Sequence, residues 1–250
     1  AVLLLGARAN RFAGLLGLAL IAGFGYWFFP GWEGLRPLFF MVFVIGGGAV
    51  YLGSLFRRPT TSAFYPLITT LVLSLGSLPL AESFLEFFFL WELMTVSSYL
   101  LVLLGQRGEG PALSYITFSL GGAFILMSGF ALAISSAGGS AAMSIAAAVQ
   151  QGFPAALSGL IFLLLTVGFL LKIGAAGLHI WLPGAYAEAD DTASAMLSAV
   201  LSKAGVFGLF AFALVFAGNE AGLVNLPLLL RWLGAVTALI GSLLAVFQED

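Results

Sequence analysis

The chain has 250 residues, of which 61% are hydrophobic and only 8% charged, with a mean hydropathy of +1.12; soluble domains carry about a quarter charged residues, so an all-α polytopic membrane protein is expected instead. A net charge of −2 offers no basic face to nucleic acid, and the absence of cysteine removes disulfides, thiolate-bound zinc and iron–sulfur clusters. With one histidine, His179, a haem held by two histidines of this chain is excluded too, so no cofactor is expected and any redox chemistry falls to other subunits.

Ala1–Leu5 reads as the tail of an apolar helix, and no charged amino-terminal region with a cleavage site marks a signal peptide. Hydropathy then predicts about eight spans, of which Phe12–Pro30 and Leu38–Phe56 come first. Ala63–Ala81 and Phe84–Leu104 are joined so tightly at Glu82–Ser83 that they must form a helical hairpin. Ala112–Ser136 leads into Ala137–Phe153, which is rich in Ala, Gly and Ser and uncharged; its Met143–Val149 stretch suits a short helix at the membrane surface. Ala156–Leu182 runs up to Pro183, where a broken helix is expected. Thr192–Ala217 and Leu228–Phe247 complete the set, and the loops are too short for a second, soluble domain. A single membrane domain is therefore expected over residues 1–250, and the apolar run that stops at Asp250 reads as part of a longer polytopic chain.

Arg8, Arg11, Arg57, Arg58 and Arg107 fall on one side of this arrangement, Arg36 and Arg231 on the other. The positive-inside rule makes the richer side cytoplasmic, together with the acidic loop of Glu188, Asp190 and Asp191. Glycine is frequent within the spans, where it lets helix backbones approach closely. One pattern repeats: Lys172-x-Gly174-x-x-Gly177-Leu178 and Lys203-x-Gly205-x-x-Gly208-Leu209, each lysine followed by glycines where a helix can loosen and admit water.

Three charges lie deep in these spans: Glu92 in the aromatic stretch Phe87–Met94, Lys172 in the sixth span and Lys203 in the seventh. A charge at the centre of a span costs about 2.5–3.5 kcal/mol on insertion scales, so one that is kept points to a proton or ion pathway. A fixed Glu–Lys pair gluing helices together is the plainer reading; it accounts for one lysine and leaves the second without a partner in this chain. His179 follows Lys172 by seven residues, about two helical turns, which would set both on nearly the same face, and imidazole suits a proton relay. Ser97 and Ser98 after Glu92, and Ser194, Ser198 and Ser202 before Lys203, are candidates for a polar relay, although serines in membrane helices mostly bond back to their own carbonyls. No phosphate loop, dinucleotide fingerprint, metal-ligand spacing or catalytic triad is present, so no catalytic, cofactor-binding or metal-binding residue is expected.

The stretch Phe89-Leu90-Trp91-Glu92-Leu93-Met94-Thr95-Val96-Ser97-Ser98-Tyr99-Leu100-Leu101-Val102 resembles the glutamate-bearing fifth helix of the antiporter-like proton-translocating membrane subunits. These occur in respiratory complex I (NADH-quinone oxidoreductase), energy-converting hydrogenases and multisubunit cation/proton antiporters. Lys172 through His179-Ile180-Trp181-Leu182-Pro183 resembles the seventh helix of that family with its H-x-W-L-P turn. Ser194-Ala195, Leu197-Ser198-Ala199 and Lys203-x-Gly205-x-x-Gly208-Leu209 resemble the eighth, and Ala245–Asp250 resembles the end of the ninth.

The resemblance implies one part, roughly helices two to nine, of a subunit of about fourteen helices with an inverted repeat. Carried over, Glu92 is the acidic partner that tunes Lys172, Lys172 is the proton carrier of the first half-channel, Lys203 is the central relay and His179 bridges them. The implied function is proton translocation in a redox-driven complex, among other membrane subunits and in contact with the lipid bilayer. The alternative is a subunit of a multisubunit Na+/H+ antiporter, which handles Na+ as well as protons. One departure stands out: Ala185-Tyr186-Ala187-Glu188-Ala189-Asp190 replaces the family's A-H-x-x-A-P, so a relay through that cytoplasmic loop is not expected.

Overall fold

A backbone in hydrocarbon must satisfy its N–H and C=O groups within its own segment, and this chain does so with helices. The computed structural model describes residues 2–57, 61–105, 109–139, 144–151, 153–213 and 226–247. Its helices are α1 (Val2–Trp27), α2 (Arg36–Ser54), α3 (Phe64–Leu80), α4 (Phe84–Leu103), α5 (Glu109–Ser136), α6 (Ile145–Gln151), α7 (Ala155–Ile173), α8 (Leu182–Glu188), α9 (Asp191–Phe212) and α10 (Leu226–Phe247). Seven of them are long and apolar enough to cross a membrane; with the shorter α3 they occupy the eight predicted spans. Among the described residues, Ser83 and Ser144 form an isolated bridge and no strand is present.

The expected hairpin is built at Glu82–Ser83. Pro79 closes a short 3₁₀ turn at the end of α3, and Ser83 then caps α4. The Ser83 hydroxyl accepts from the Glu86 N–H at 3.2 Å, while Glu86 Oε2 accepts from the backbone N–H groups of Glu82 and Ser83 at 2.9 and 3.2 Å. This reciprocal capping satisfies otherwise orphaned donors at the start of α4. The surface helix expected over Met143–Val149 is α6, tied to the same turn by Ile145 N–H donating to Glu82 O at 2.9 Å; Met143 itself lies outside the described residues. Arg58 and Arg107, used for the orientation, also lie outside them, as does the side chain of Arg8. At the opposite end of the bundle, Arg57 pairs with Asp191, and Gly105 lies against the Glu188 carbonyl. The ends of α2, α4 and α8 and the start of α9 thus share one face, as the expected topology requires.

Glycine sets how closely the central helices approach. A Cβ on Gly168 of α7 would fall 2.5 Å from Leu126 and 3.0 Å from the Gly122 carbonyl of α5. On the other side of α7, a Cβ on Gly205 of α9 would fall 2.9 Å from the Phe169 carbonyl, and one on Gly208 would fall 2.2 Å from the Phe169 ring. The two halves of the lysine–glycine repeat therefore differ structurally. Gly205 and Gly208 are close-packing residues within a helix, whereas Gly174 and Gly177 are left-handed, with φ of +74° and +84°.

Gly174 ends α7. Its N–H and that of Ala175 both reach the Leu170 carbonyl, at 3.0 and 3.2 Å, in a glycine-capped helix end. Residues 174–181 then form a loop, and the chain becomes helical again at Leu182 with Pro183 in the first turn of α8. The broken helix is present near Pro183, but proline is not what breaks it. A first-turn proline has no N–H to leave unsatisfied and has a helix-compatible φ, so it starts the second segment. Consequently Lys172 and His179 do not share a helix face: the helix between them stops one residue after Lys172, at Ile173.

Two of the longer helices carry π-helical turns, at Val42–Gly46 in α2 and at Leu197–Leu201 and Leu209–Ala213 in α9. The first two pack on each other. Gly208→Ala is expected to strain the α7–α9 contact against the buried Phe169 ring and to lower stability by about 1–3 kcal/mol; thermal unfolding of the detergent-solubilised protein checks this, and an unchanged melting temperature would refute it.

Candidate functional site

Lys172 lies in the last turn of α7, where the helix dipole favours a cation, and it is 3% exposed. Its ammonium is held by side-chain oxygens from two neighbouring helices. Lys172 Nζ donates to Tyr115 OH at 2.7 Å and to Thr95 Oγ1 at 3.2 Å, with a longer contact to Ser119 Oγ at 3.5 Å. It also lies 4.8 Å from the centroid of the Tyr115 ring. Tyr115 and Ser119, four residues apart on α5, face α7 across the glycine contact; Thr95 comes from α4.

A second layer fixes this arrangement. Tyr115 OH is 2.6 Å from Ser98 Oγ, which donates in turn to the Met94 carbonyl at 2.8 Å. Trp181, in the loop after α7, donates its indole N–H to the Leu171 carbonyl at 3.0 Å and packs edge-on against Tyr115, with ring centroids 5.1 Å apart. The loop thus supplies a partner for a carbonyl freed by the helix break and also buttresses the tyrosine.

The predicted site residues are brought together only in part. Glu92 precedes Thr95 by three residues on α4, and its buried Oε1 accepts no hydrogen bond from the described residues. Lys172 and Glu92 interact electrostatically, but they do not form an ion pair: Arg57–Asp191 is the one ion pair among the described residues. Ser98 joins the Lys172 network, while Ser97 bonds back to the Leu93 carbonyl. Lys203 is exposed and turns along its own helix, donating to the Ser198 carbonyl at 2.7 Å and to Ser202 Oγ at 3.1 Å. Ser202 also donates to the Ser198 carbonyl, at 3.0 Å. The accepting Ser198 carbonyl lies within the π turn at Leu197–Leu201. His179 lines a separate cavity of about 660 Å³ between the loop after α7 and α10, with Tyr186 and Thr237. Among the described residues no hydrogen bond or ion pair joins Lys203 or His179 to Lys172.

Tyr115, Thr95 and Ser119 were not among the residues predicted from sequence. The signal for them was a tyrosine and a serine at four-residue spacing in an otherwise apolar helix, and a threonine one turn after the buried glutamate. Hydroxyl residues satisfy themselves so often on their own helix that this spacing alone carries little information. No group of three or more His, Cys, Asp or Glu side chains that could hold a metal occurs among the described residues.

A bundle of apolar helices with a lysine sequestered at a helix break is the architecture of an integral membrane protein that holds a charged group in its interior. Residues 81–250 match the family described as NADH:quinone oxidoreductase/Mrp antiporter, TM, and the chain belongs to that family. It is 34% identical over 173 residues to the NAD(P)H-quinone oxidoreductase chain 4 2 of Thermosynechococcus vestitus, covering 68% of this chain and 32% of the relative. It is 29% identical over 181 residues to hydrogenase-4 component B of Escherichia coli, covering 72% of this chain and 26% of the relative. In fold it is similar to a chain of the Mrp complex from Dietzia sp. DQ12-45-1b, with a TM-score of 0.82 at 24% identity over 99% of this chain and 30% of the other. The chain spans about a third of the length of the curated relatives it matches.

The indole contact is testable on its own. Trp181→Phe keeps an aromatic ring beside Tyr115 but leaves the Leu171 carbonyl without its donor. A loss of about 1–3 kcal/mol of stability is expected for that buried acceptor, read as a lowered melting temperature; no change would mean that the carbonyl finds another partner.

Proposed function

We propose that this chain is the proton-carrying part of a membrane subunit in a redox-driven complex of the NADH-quinone oxidoreductase or hydrogenase type. It works beside other membrane subunits, as a single membrane domain within a longer subunit. The observation that carries this reading is the buried ammonium of Lys172, held by neutral hydroxyls while a carboxylate oxygen of Glu92 stands without a hydrogen-bond partner one turn from Thr95. Inside a low-dielectric bundle the attraction between such a pair is strong, and a small movement of either group changes it steeply. A lysine that moves between hydroxyls and a carboxylate can therefore take up a proton in one position and release it in another. The kinship with the quinone oxidoreductase chain and the hydrogenase component supports a redox drive.

Lys172 and Lys203 flank the same α7–α9 contact. Ile173 and Gly205, two residues or fewer from the respective lysines, meet in it. Lys172 faces α4 and α5, while Lys203 is exposed on the far side. In the proposed sequence Lys172 receives the proton, His179 passes it by way of the cavity at the break, and Lys203 hands it onward. The arginine-rich end is placed in the cytoplasm and the subunit in the inner (plasma) membrane of a prokaryote. The fold shared with an Mrp complex chain supports a second reading, a Na+/H+ antiporter subunit. That reading predicts Na+-dependent proton flux without an electron donor.

The test uses the full-length subunit in its assembled complex, in inverted membrane vesicles. Lys172→Met and Glu92→Gln are each expected to lower donor-driven proton uptake at least about tenfold, with subunit content by mass spectrometry unchanged. Normal uptake in assembled complexes would leave these charges a packing role only. Flux that needs Na+ and no electron donor would favour the antiporter reading.

A further inference from the structure

We infer that Tyr115 is a positioning residue whose hydroxyl competes with Glu92 for the Lys172 ammonium, holding the lysine in a berth without a counterion. This rests on the proton-carrying role proposed for Lys172.

The first argument is a count of donors and acceptors. An ammonium has three N–H donors, and Tyr115, Thr95 and Ser119 offer three oxygens at 2.7, 3.2 and 3.5 Å. Lys172 is thereby provided for in its charged form without a carboxylate. The shortest of these contacts belongs to Tyr115.

The second argument is the direction of the hydroxyl chain. A phenol that accepts from an ammonium has one proton of its own to place. The Ser98 proton is taken by carbonyls of its own helix, Met94 at 2.8 Å and Thr95 at 3.0 Å, which leaves Ser98 Oγ, 2.6 Å away, to accept the phenol proton. Each dipole then presents its oxygen end towards the ammonium, and such aligned chains strengthen one another. The third argument is rigidity: the edge contact with Trp181, itself anchored on the Leu171 carbonyl, keeps the tyrosine ring from following the lysine when it leaves.

The competitor lies on α4, the helix that carries Thr95. Glu92 precedes Thr95 by one turn of α4, and its Oε1 has no partner. An ammonium that leaves Tyr115 for Glu92 moves along α4 and passes Thr95. A lysine offered only the carboxylate would settle into a buried ion pair, which is costly to separate. A fixed set of neutral acceptors brings the two positions closer in energy, so that a modest change nearby moves the lysine from one to the other.

The test uses the full-length subunit in its assembled complex, reconstituted in proteoliposomes. Tyr115→Phe removes one oxygen and keeps the ring against Trp181, so the fold is retained. Proton translocation is expected to fall roughly tenfold, as for one lost hydrogen bond to a charged group. With lysine labelled by 15N at Nζ, the Lys172 resonance, assigned by its disappearance in Lys172→Met, is expected to move in Tyr115→Phe, and the pH profile of translocation is expected to move with it. Ser98→Ala should give a smaller effect in the same direction and add nothing in a Tyr115→Phe background, because Ser98 acts through Tyr115. Ser128→Ala, at an exposed serine of α5 that bonds to the Phe124 carbonyl of its own helix, should change nothing. If the Lys172 resonance and the pH profile stay fixed in Tyr115→Phe, the inference is overturned even where the rate falls, since packing alone would explain the rate. Should Lys172→Met itself translocate normally while Tyr115→Phe moves the resonance, the proton-carrying reading fails and the contact stands.

Discussion

An ammonium in the middle of a hydrocarbon bundle needs oxygen atoms around it, and the way α7 ends is what gathers them. Lys172 sits one residue before the last residue of that helix, where the dipole favours a positive charge. The left-handed Gly174 then turns the chain out of the helix, which frees the last carbonyls and brings Trp181 back over them. Had α7 continued through residue 181, there would be no loop to cap the Leu171 carbonyl and no indole to brace Tyr115. The helix break and the lysine site are one structural unit.

The same unit depends on glycine in a second way. Hydroxyls on α5 reach Lys172 because α5 and α7 approach closely, and they do so where Gly168 leaves no room for a Cβ against Leu126 and the Gly122 carbonyl. Lipid offers no hydrophobic drive to press apolar helices together, so close backbone contact and buried polar bonds carry the association. The α5–α7 interface has both: glycine contacts along its length and the Lys172–Tyr115–Ser119 set at one end. On its other face α7 meets Gly205 and Gly208 of α9 in the same manner. α7, which carries the buried lysine, is therefore packed closely on both sides, by α5 and by the helix of the exposed one.

Hydropathy alone located the spans and the charges within them, since twenty apolar residues in a row have few alternative folds and each charge stands out against them. The hairpin at Glu82–Ser83 was legible for a local reason: the loop has no length to do anything else. The helix break was legible in kind and misread in cause. Pro183 is the conspicuous breaker in the sequence, yet a glycine's left-handed turn leaves no mark that separates Gly174 from the many glycines that merely pack, such as Gly205 and Gly208 in the matching pattern. Tyr115 was illegible because its importance comes from a crossing of α4, α5 and α7, and no single-helix periodicity encodes that meeting. The serine run before Lys203 was legible as a stripe, but the shortest contact of the lysine is with a backbone carbonyl, that of Ser198, which side-chain spacing does not reveal.

That carbonyl completes the comparison between the two lysines. Lys172 is held by side chains from other helices and is shut away from solvent. Lys203 is held by its own helix, through Ser198 and Ser202, and is open. A group bound by its own helix keeps its position when neighbouring helices shift, whereas one bound across helices changes partners with every change in their crossing. Movement of α4 or α5 relative to α7 therefore acts first on Lys172. Lys203 responds only when α9 itself rearranges, and α9 carries a π turn on either side of it. Such turns are rare within α-helices and occur often at functional sites. The two lysines are thus held in different ways, one across a crossing of helices and one along a single helix, so a shift between helices and a change within α9 would each reach a different one of them.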